Sequence, residues 1–263
     1  MKVAISLFSL FLLLNCNLTN KINSIRHDAD SLAGYSYLIW WTDSMTKKTH
    51  QGTCFFMESD NDTFMITARH VLRTLNNIYP QKFTIMLNDN GIFNHKGRRL
   101  NYILTENISV YNTKIPDIIA AKMEHNPRNF PVKTINRLIK VDAIPQLKNS
   151  ISSIGYPVNH NRDTIGGFAF TDAVNYSSYI DSLKTNFPFY NDNRVPVDSF
   201  NYSISLKNAS PDSSFGGFSG SPTFTKNKKS DKWVFLGVVS LTHAGRLFII
   251  KSKYMFDAIR AAK

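Results

Sequence analysis

From residue 34 onward the chain alternates short runs of aromatic and β-branched residues with clusters of turn-formers. Runs at 35–42, 53–58, 64–67, 82–87, 108–111 and 118–123 have the length and composition of strands. Turn-formers separate them, most clearly Ser59-Asp60-Asn61-Asp62 and Asn88-Asp89-Asn90-Gly91. Six short strands at this spacing predict a small antiparallel barrel. Residues 126–138, with two prolines and several basic residues, read as the connection to a second barrel. Its strands are predicted at 151–154, 164–171, 199–205, 223–224, 232–240 and 246–250, with a long polar loop over 172–198. Residues 252–263 read as a helix capped by Ser252, with Met255, Ile259 and Ala262 on one face. The expected fold class is therefore all-β, two antiparallel six-stranded barrels and a C-terminal helix. No internal repeat or heptad pattern interrupts it.

Composition changes the picture little. The chain has 263 residues, 43% of them hydrophobic, enough for a sizeable core. The net charge of +12 raises nucleic-acid binding as a reading. The basic residues are scattered, however, and Lys226-Asn227-Lys228-Lys229 is the densest cluster, so the excess reads as a solubilising surface and no nucleic acid is expected.

The first 16 residues read as an export signal: Lys2, then an apolar run from Val3 to Leu14 that is short for a membrane span. Leu13-Leu14-Asn15-Cys16 resembles a bacterial lipobox, in which the cysteine is lipidated, although Asn15 stands where a small residue is usual. The expectation is an exported protein, in the periplasm, the cell envelope or secreted, with a lipid anchor on Cys16. Residues 17–33 read as a polar tether. Cys16 and Cys54 are the two cysteines, so lipidation or removal of Cys16 leaves no intramolecular disulfide, and Cys54 reads as a buried small hydrophobe.

The chemistry concentrates in Phe215-Gly216-Gly217-Phe218-Ser219-Gly220-Ser221-Pro222. A glycine-rich run of this kind can aim successive backbone N–H groups at one point and present a serine hydroxyl beside them. Those are a nucleophile and the donors for its oxyanion. Upstream, Thr67-Ala68-Arg69-His70-Val71 follows a strand-like run, and Pro116-Asp117-Ile118-Ile119-Ala120 places an acid before another. Serine needs a base to take its proton, and that base needs a carboxylate to hold its tautomer. His70, Asp117 and Ser219 match these roles. Ser221 is the nearest rival nucleophile, and the order Gly-x-Ser-Gly favours Ser219, with the N–H groups of Gly217 and Ser219 as oxyanion donors.

These segments, together with Gly52-Thr53-Cys54-Phe55-Phe56, Gly155-Tyr156-Pro157 and Leu236-Gly237-Val238-Val239-Ser240, resemble in order the landmarks of trypsin-like, chymotrypsin-fold serine peptidases of the disulfide-poor bacterial type. The resemblance spans roughly residues 35–250. It implies a peptidase domain over 34–263, with a first barrel over about 34–125, a second over about 139–250, and the helix at 252–263. It implies hydrolysis of peptide bonds in a peptide or protein substrate, without cofactor or metal, through His70, Asp117 and Ser219. It also places Ser213 and Ser214 at the floor of the substrate pocket and Ser240, Leu241 and Thr242 along its wall. With no acid at that floor, uncharged residues are expected before the cleaved bond, and acidic ones if His243 or the positive surface reaches the pocket. Phe218 departs from the aspartate that many secreted members carry before the serine, so activation by a newly cleaved N-terminal amine is not expected. The reading from another class is a catalytically inactive pseudopeptidase that keeps the fold as a binding module. The remaining histidines are dispersed, and no His-Glu-x-x-His or Cys-x-x-Cys points to zinc.

Overall fold

The computed structural model describes residues 20, 23–25, 27–43, 46–72, 82–87, 100–105, 117–123, 132–138, 143–157, 163–165, 168–170, 173–184, 201–206, 216–226, 232–243 and 246–263. Fourteen strands dominate it. In the first half, β1 (Tyr37–Thr42), β2 (Thr49–Ser59), β3 (Asp62–Ala68), β4 (Lys82–Leu87), β5 (Leu100–Thr105) and β6 (Ile118–Lys122) form one antiparallel sheet in the order β5-β4-β1-β2-β3-β6. The predicted turn between β2 and β3 is present: Asp60 and Asn61 take φ of 52° and 68°, the left-handed pair a two-residue hairpin requires and that Asp and Asn tolerate. β1 is buried on both faces. Tyr37, Ile39 and Trp41 point into one cluster with Phe56, Met65 and Ile85, while Leu38 and Trp40 pack on Met86 and Tyr156.

The second half is a closed barrel. It is built from β7 (Ser150–Gly155), β10 (Val174–Lys184), β11 (Asn201–Leu206), β12 (Pro222–Lys226), β13 (Trp233–His243) and β14 (Arg246–Lys251), in the order β10-β11-β14-β13-β12-β7. Ile180, Ile204, Leu206, Leu236, Val239, Leu247 and Ile249 fill one cluster on these strands. Two short strands, β8 (Asp163–Ile165) and β9 (Phe168–Phe170), pair only with each other among the described residues. Helix α1 (Lys253–Ala262) ends the chain.

A shared core joins the halves. Phe55, Phe64, Ile66 and Ile118 from the first meet Phe224, Phe235, Val238 and Ile250 from the second, and Met255, Ala258 and Ile259 of α1 complete the cluster. The Phe55 and Phe235 rings lie 5.4 Å apart, and each buried phenylalanine contributes roughly 1.5–3 kcal/mol relative to exposure. Hydrogen bonds cross the same boundary, among them Ser36 Oγ donating to the Ile154 carbonyl at 2.8 Å and Tyr156 Oη donating to the Ser36 carbonyl at 3.2 Å.

The structure refines several expectations. Among the described residues one closed barrel is formed, by the second half, and the first half is a six-stranded sheet whose outer strands, β5 and β6, do not pair with each other. The predicted strand at 108–111 lies outside those residues, and a strand not predicted, β5 at Leu100–Thr105, forms an edge of the described sheet. The run at 164–171 is split into β8 and β9. The predicted loop over 172–198 contains β10, eleven residues long. Serines hid that strand: Ser177 and Ser178 are buried, which their polarity does not announce. The stretch read as a tether is built into the fold in part, since Ile25, Ala29 and Leu32 join the shared core and Asp28 pairs with Lys226 at 2.6 Å. Ser252 is helical and makes no side-chain cap, so α1 begins without that bond.

Candidate active site

The register of β3 and β6 decides where His70 and Asp117 meet. Ala68 stands opposite Ile118, so the next residue of one strand and the preceding residue of the other are neighbours. The Arg69 N–H donates to the Asp117 carbonyl at 3.2 Å, and the His70 N–H donates to Asp117 Oδ1 at 3.1 Å. The chain turns tightly through Arg69–Leu72, which swings the imidazole back over the carboxylate. Nδ1 lies 2.9 Å from Oδ2 and 3.1 Å from Oδ1. A carboxylate only accepts, so Nδ1 carries the proton and Nε2 is left basic. Burial pulls the His70 pKa down, while the charge of Asp117 and its hydrogen bond push it up; the net is a pKa above the ordinary histidine value. The ring is still about half exposed, at 49%.

Ser219 sits on a loop pinned from both halves. The Thr53 N–H on β2 donates to the Ser219 carbonyl at 2.9 Å, and the Gly220 N–H donates to the Val239 carbonyl on β13 at 2.8 Å. Gly217 and Gly220 take φ of 95° and 89°, in the left-handed region that suits glycine. At Gly220 a Cβ would lie 1.8 Å from the Thr53 carbonyl oxygen, so a side chain there has no room. Gly52 brings the two parts of the site together, because a Cβ on it would meet Val71, the residue after His70, at 2.6 Å and the Ser219 carbonyl at 3.2 Å. The Ser219 hydroxyl donates to the Ser240 carbonyl at 3.3 Å, and no hydrogen bond joins it to His70. Among the described residues, the N–H groups of Gly217 and Ser219 donate to no protein acceptor.

No family model matches this sequence, and no curated protein matches it. Solved structures do match it. Rv3671c protease from M. tuberculosis in its active form superposes with a TM-score of 0.56 at 17% identity, covering 92% of this chain and 85% of that one. The serine endoprotease from Yersinia pestis gives 0.52 at 14% identity, covering 90% of this chain and 66% of the other. The fold is the chymotrypsin type of the trypsin-like serine proteases.

Within this chymotrypsin-type fold the other predicted site residues fare unevenly. Ser213 and Ser214 lie outside the described residues. Ser240, Leu241 and Thr242 lie on β13 beyond its pairing with β12, beside β14 on one edge, and the Ser240 carbonyl accepts the Ser219 hydroxyl. The Ser240 hydroxyl donates to the Phe248 carbonyl at 3.4 Å and so turns toward β14. Cys16 also lies outside the described residues. Cys54 is buried as expected, and burial pushes its thiol pKa well up, which keeps it protonated and a poor nucleophile. Phe218 is fully buried, with its ring edge-on to Tyr176 at 6.4 Å, so the residue before the serine anchors the loop by packing. Sequence reasoning gave no role to Thr53. Its position between Gly52 and an apolar strand was visible, but its contact with a loop 164 residues away was not.

Proposed function

We propose that the chain is a serine endopeptidase that forms an acyl-enzyme on Ser219. One observation carries this reading: Gly52 packs between Val71, next to an imidazole with its Nδ1 locked on a carboxylate, and a glycine-built loop bearing a serine and two backbone N–H groups that meet no protein acceptor among the described residues. In the reaction, the Ser219 hydroxyl leaves the Ser240 carbonyl, turns to His70 Nε2 and gives up its proton as Oγ attacks the substrate carbonyl. Such contacts are commonly long in resting sites and tighten with substrate bound. Asp117 stabilises the imidazolium, and the N–H groups of Gly217 and Ser219 receive the oxyanion. Collapse of the adduct breaks the peptide C–N bond, and the departing amine takes the proton from His70. Water then attacks the ester with His70 again as base, releasing the carboxylic acid and restoring Ser219.

The six-stranded sheet of the first half is the counterpart of a first barrel, and the cleft between it and the second barrel receives the peptide. Ser213 and Ser214 at the pocket floor, with Ser240, Leu241 and Thr242 at its wall, supply no carboxylate for Lys or Arg, so uncharged residues precede the cleaved bond. The apolar leader and Cys16 direct the protein out of the cytoplasm and anchor it by a lipid. The test is digestion of a peptide library followed by sequencing of the products. Cleavage by wild type and none by Ser219→Ala is expected. No cleavage by either would favour the pseudopeptidase, and strong selection for Lys or Arg would show the pocket misread.

A further inference from the structure

We infer that Thr53 is the positioning residue that holds the Ser219 loop in its reactive shape, a role that rests on the hydrolytic reading above. Thr53 is fully buried on β2, in the half of the chain that carries His70. Its N–H donates to the Ser219 carbonyl at 2.9 Å and its hydroxyl to the Gly217 carbonyl at 2.9 Å. One residue thus grips the carbonyls on both sides of Phe218. The hydroxyl also accepts the Tyr156 N–H at 3.1 Å, and the Thr53 carbonyl accepts the Thr67 hydroxyl at 2.6 Å. The single hydroxyl proton is therefore committed to Gly217, and the group is held from behind by two further segments.

Gly217 supplies one of the two oxyanion donors, and as a glycine it resists rotation least of any residue. Its N–H lies in the Gly216–Gly217 peptide plane and its carbonyl in the next, so with the carbonyl held on Thr53 the N–H can turn only about the bonds that flank its own plane. By fixing the Gly217–Phe218 plane, the Thr53 hydroxyl anchors the Cα beside that donor and removes the rotations that would shift the whole loop, which keeps the donor preorganised before substrate arrives. The buried Phe218 ring cannot replace this grip, because packing fixes a side chain's position and leaves the adjoining peptide planes free to rotate.

The test compares inactivation of the full chain by a fluorophosphonate in wild type, Thr53→Val, Thr53→Ala and Thr53→Ser, reading the maximal rate apart from the half-saturating concentration. Valine keeps the shape without the donor, and serine keeps the donor without the methyl. The expectation for Thr53→Val is a maximal rate ~10- to 100-fold lower, below the ~100- to 1000-fold cost of deleting an oxyanion donor outright, with half-saturation within about threefold. Thr53→Ser should recover most of the rate. Equal rates in wild type and Thr53→Val would overturn this role while leaving the hydrolytic reading intact. Failure of both the valine and alanine variants to fold would make Thr53 a structural residue and overturn it too. A wild type that does not react would remove the hydrolytic reading, and this inference with it.

Discussion

Asp117→Asn isolates the carboxylate from the geometry around it. Asparagine has the same shape, and its amide oxygen can keep the bond that Oδ1 accepts from the His70 N–H at 3.1 Å. That orientation turns the amide NH2 toward Nδ1, which Oδ2 now faces at 2.9 Å. Nδ1 must then accept, the imidazole proton moves to Nε2, and the base that Ser219 needs is blocked. A wrong tautomer of this kind costs ~10⁴ in turnover, about 5.4 kcal/mol at 1.36 kcal/mol per decade. A second effect has an independent sign. Burial lowers the His70 pKa and Asp117 raises it above the ordinary value; without the carboxylate only burial remains. The acid limb of the pH–rate profile, where His70 gains the proton that stops it acting as a base, therefore lies above the ordinary histidine pKa in wild type. It moves to lower pH in the variant. The assay is the fluorophosphonate inactivation rate across about pH 5–9, the range that brackets histidine titration. A variant within tenfold of wild type, or one whose acid limb stays put or rises, would refute the assignment of Asp117.

Three further outcomes follow. Gly220→Ala should abolish reactivity, because its Cβ would lie 1.8 Å from the Thr53 carbonyl oxygen and its φ of 89° adds ~1–3 kcal/mol of strain; a fully reactive variant would show the loop geometry to be irrelevant. Phe218→Ala should lower unfolding stability by ~3–5 kcal/mol in denaturant titration, the range for emptying a buried phenylalanine site, and a change below about 1 kcal/mol would deny that the ring anchors the loop. Because the folded His70 pKa is raised, its pairing with Asp117 stabilises the fold fully below the unfolded histidine pKa and loses that effect as pH rises through the folded value. The gap in Tm between wild type and His70→Ala should thus narrow from about pH 5 to about pH 8, and a gap that widens would contradict the pairing.

The candidate residues His70, Asp117 and Ser219 stand out in the chain because they lie at strand ends and in a glycine-rich loop, where local signals are strongest. His70 follows an apolar strand, Asp117 precedes one, and the glycines around Ser219 announce a tight loop. That His70 and Asp117 meet follows from a β3–β6 register that no local pattern encodes. β10 was missed because Tyr176, Ser177, Ser178 and Tyr179 carry a polar surface that the barrel nonetheless covers in part, with both serines buried. The burial of Ile25, Ala29 and Leu32 was missed for the opposite reason: three small or aliphatic residues at a spacing of four and three are too few to stand out from an Asn- and Ser-rich stretch. Thr53 illustrates a third limit. Its role lies in hydrogen bonds to residues in the other half of the chain, and threonine in a strand otherwise signals only β-propensity.

Fluorophosphonate labelling of the intact wild-type chain, with the adduct located by peptide mass spectrometry, tests the central claim most directly. It requires an activated serine and formed oxyanion donors at once, and it needs no knowledge of the substrate. A single adduct on Ser219, absent from Ser219→Ala and strongly reduced in His70→Ala, is the predicted result. An unlabelled wild type, or an adduct on Ser221 or any other serine with Ser219 unmodified, would contradict it.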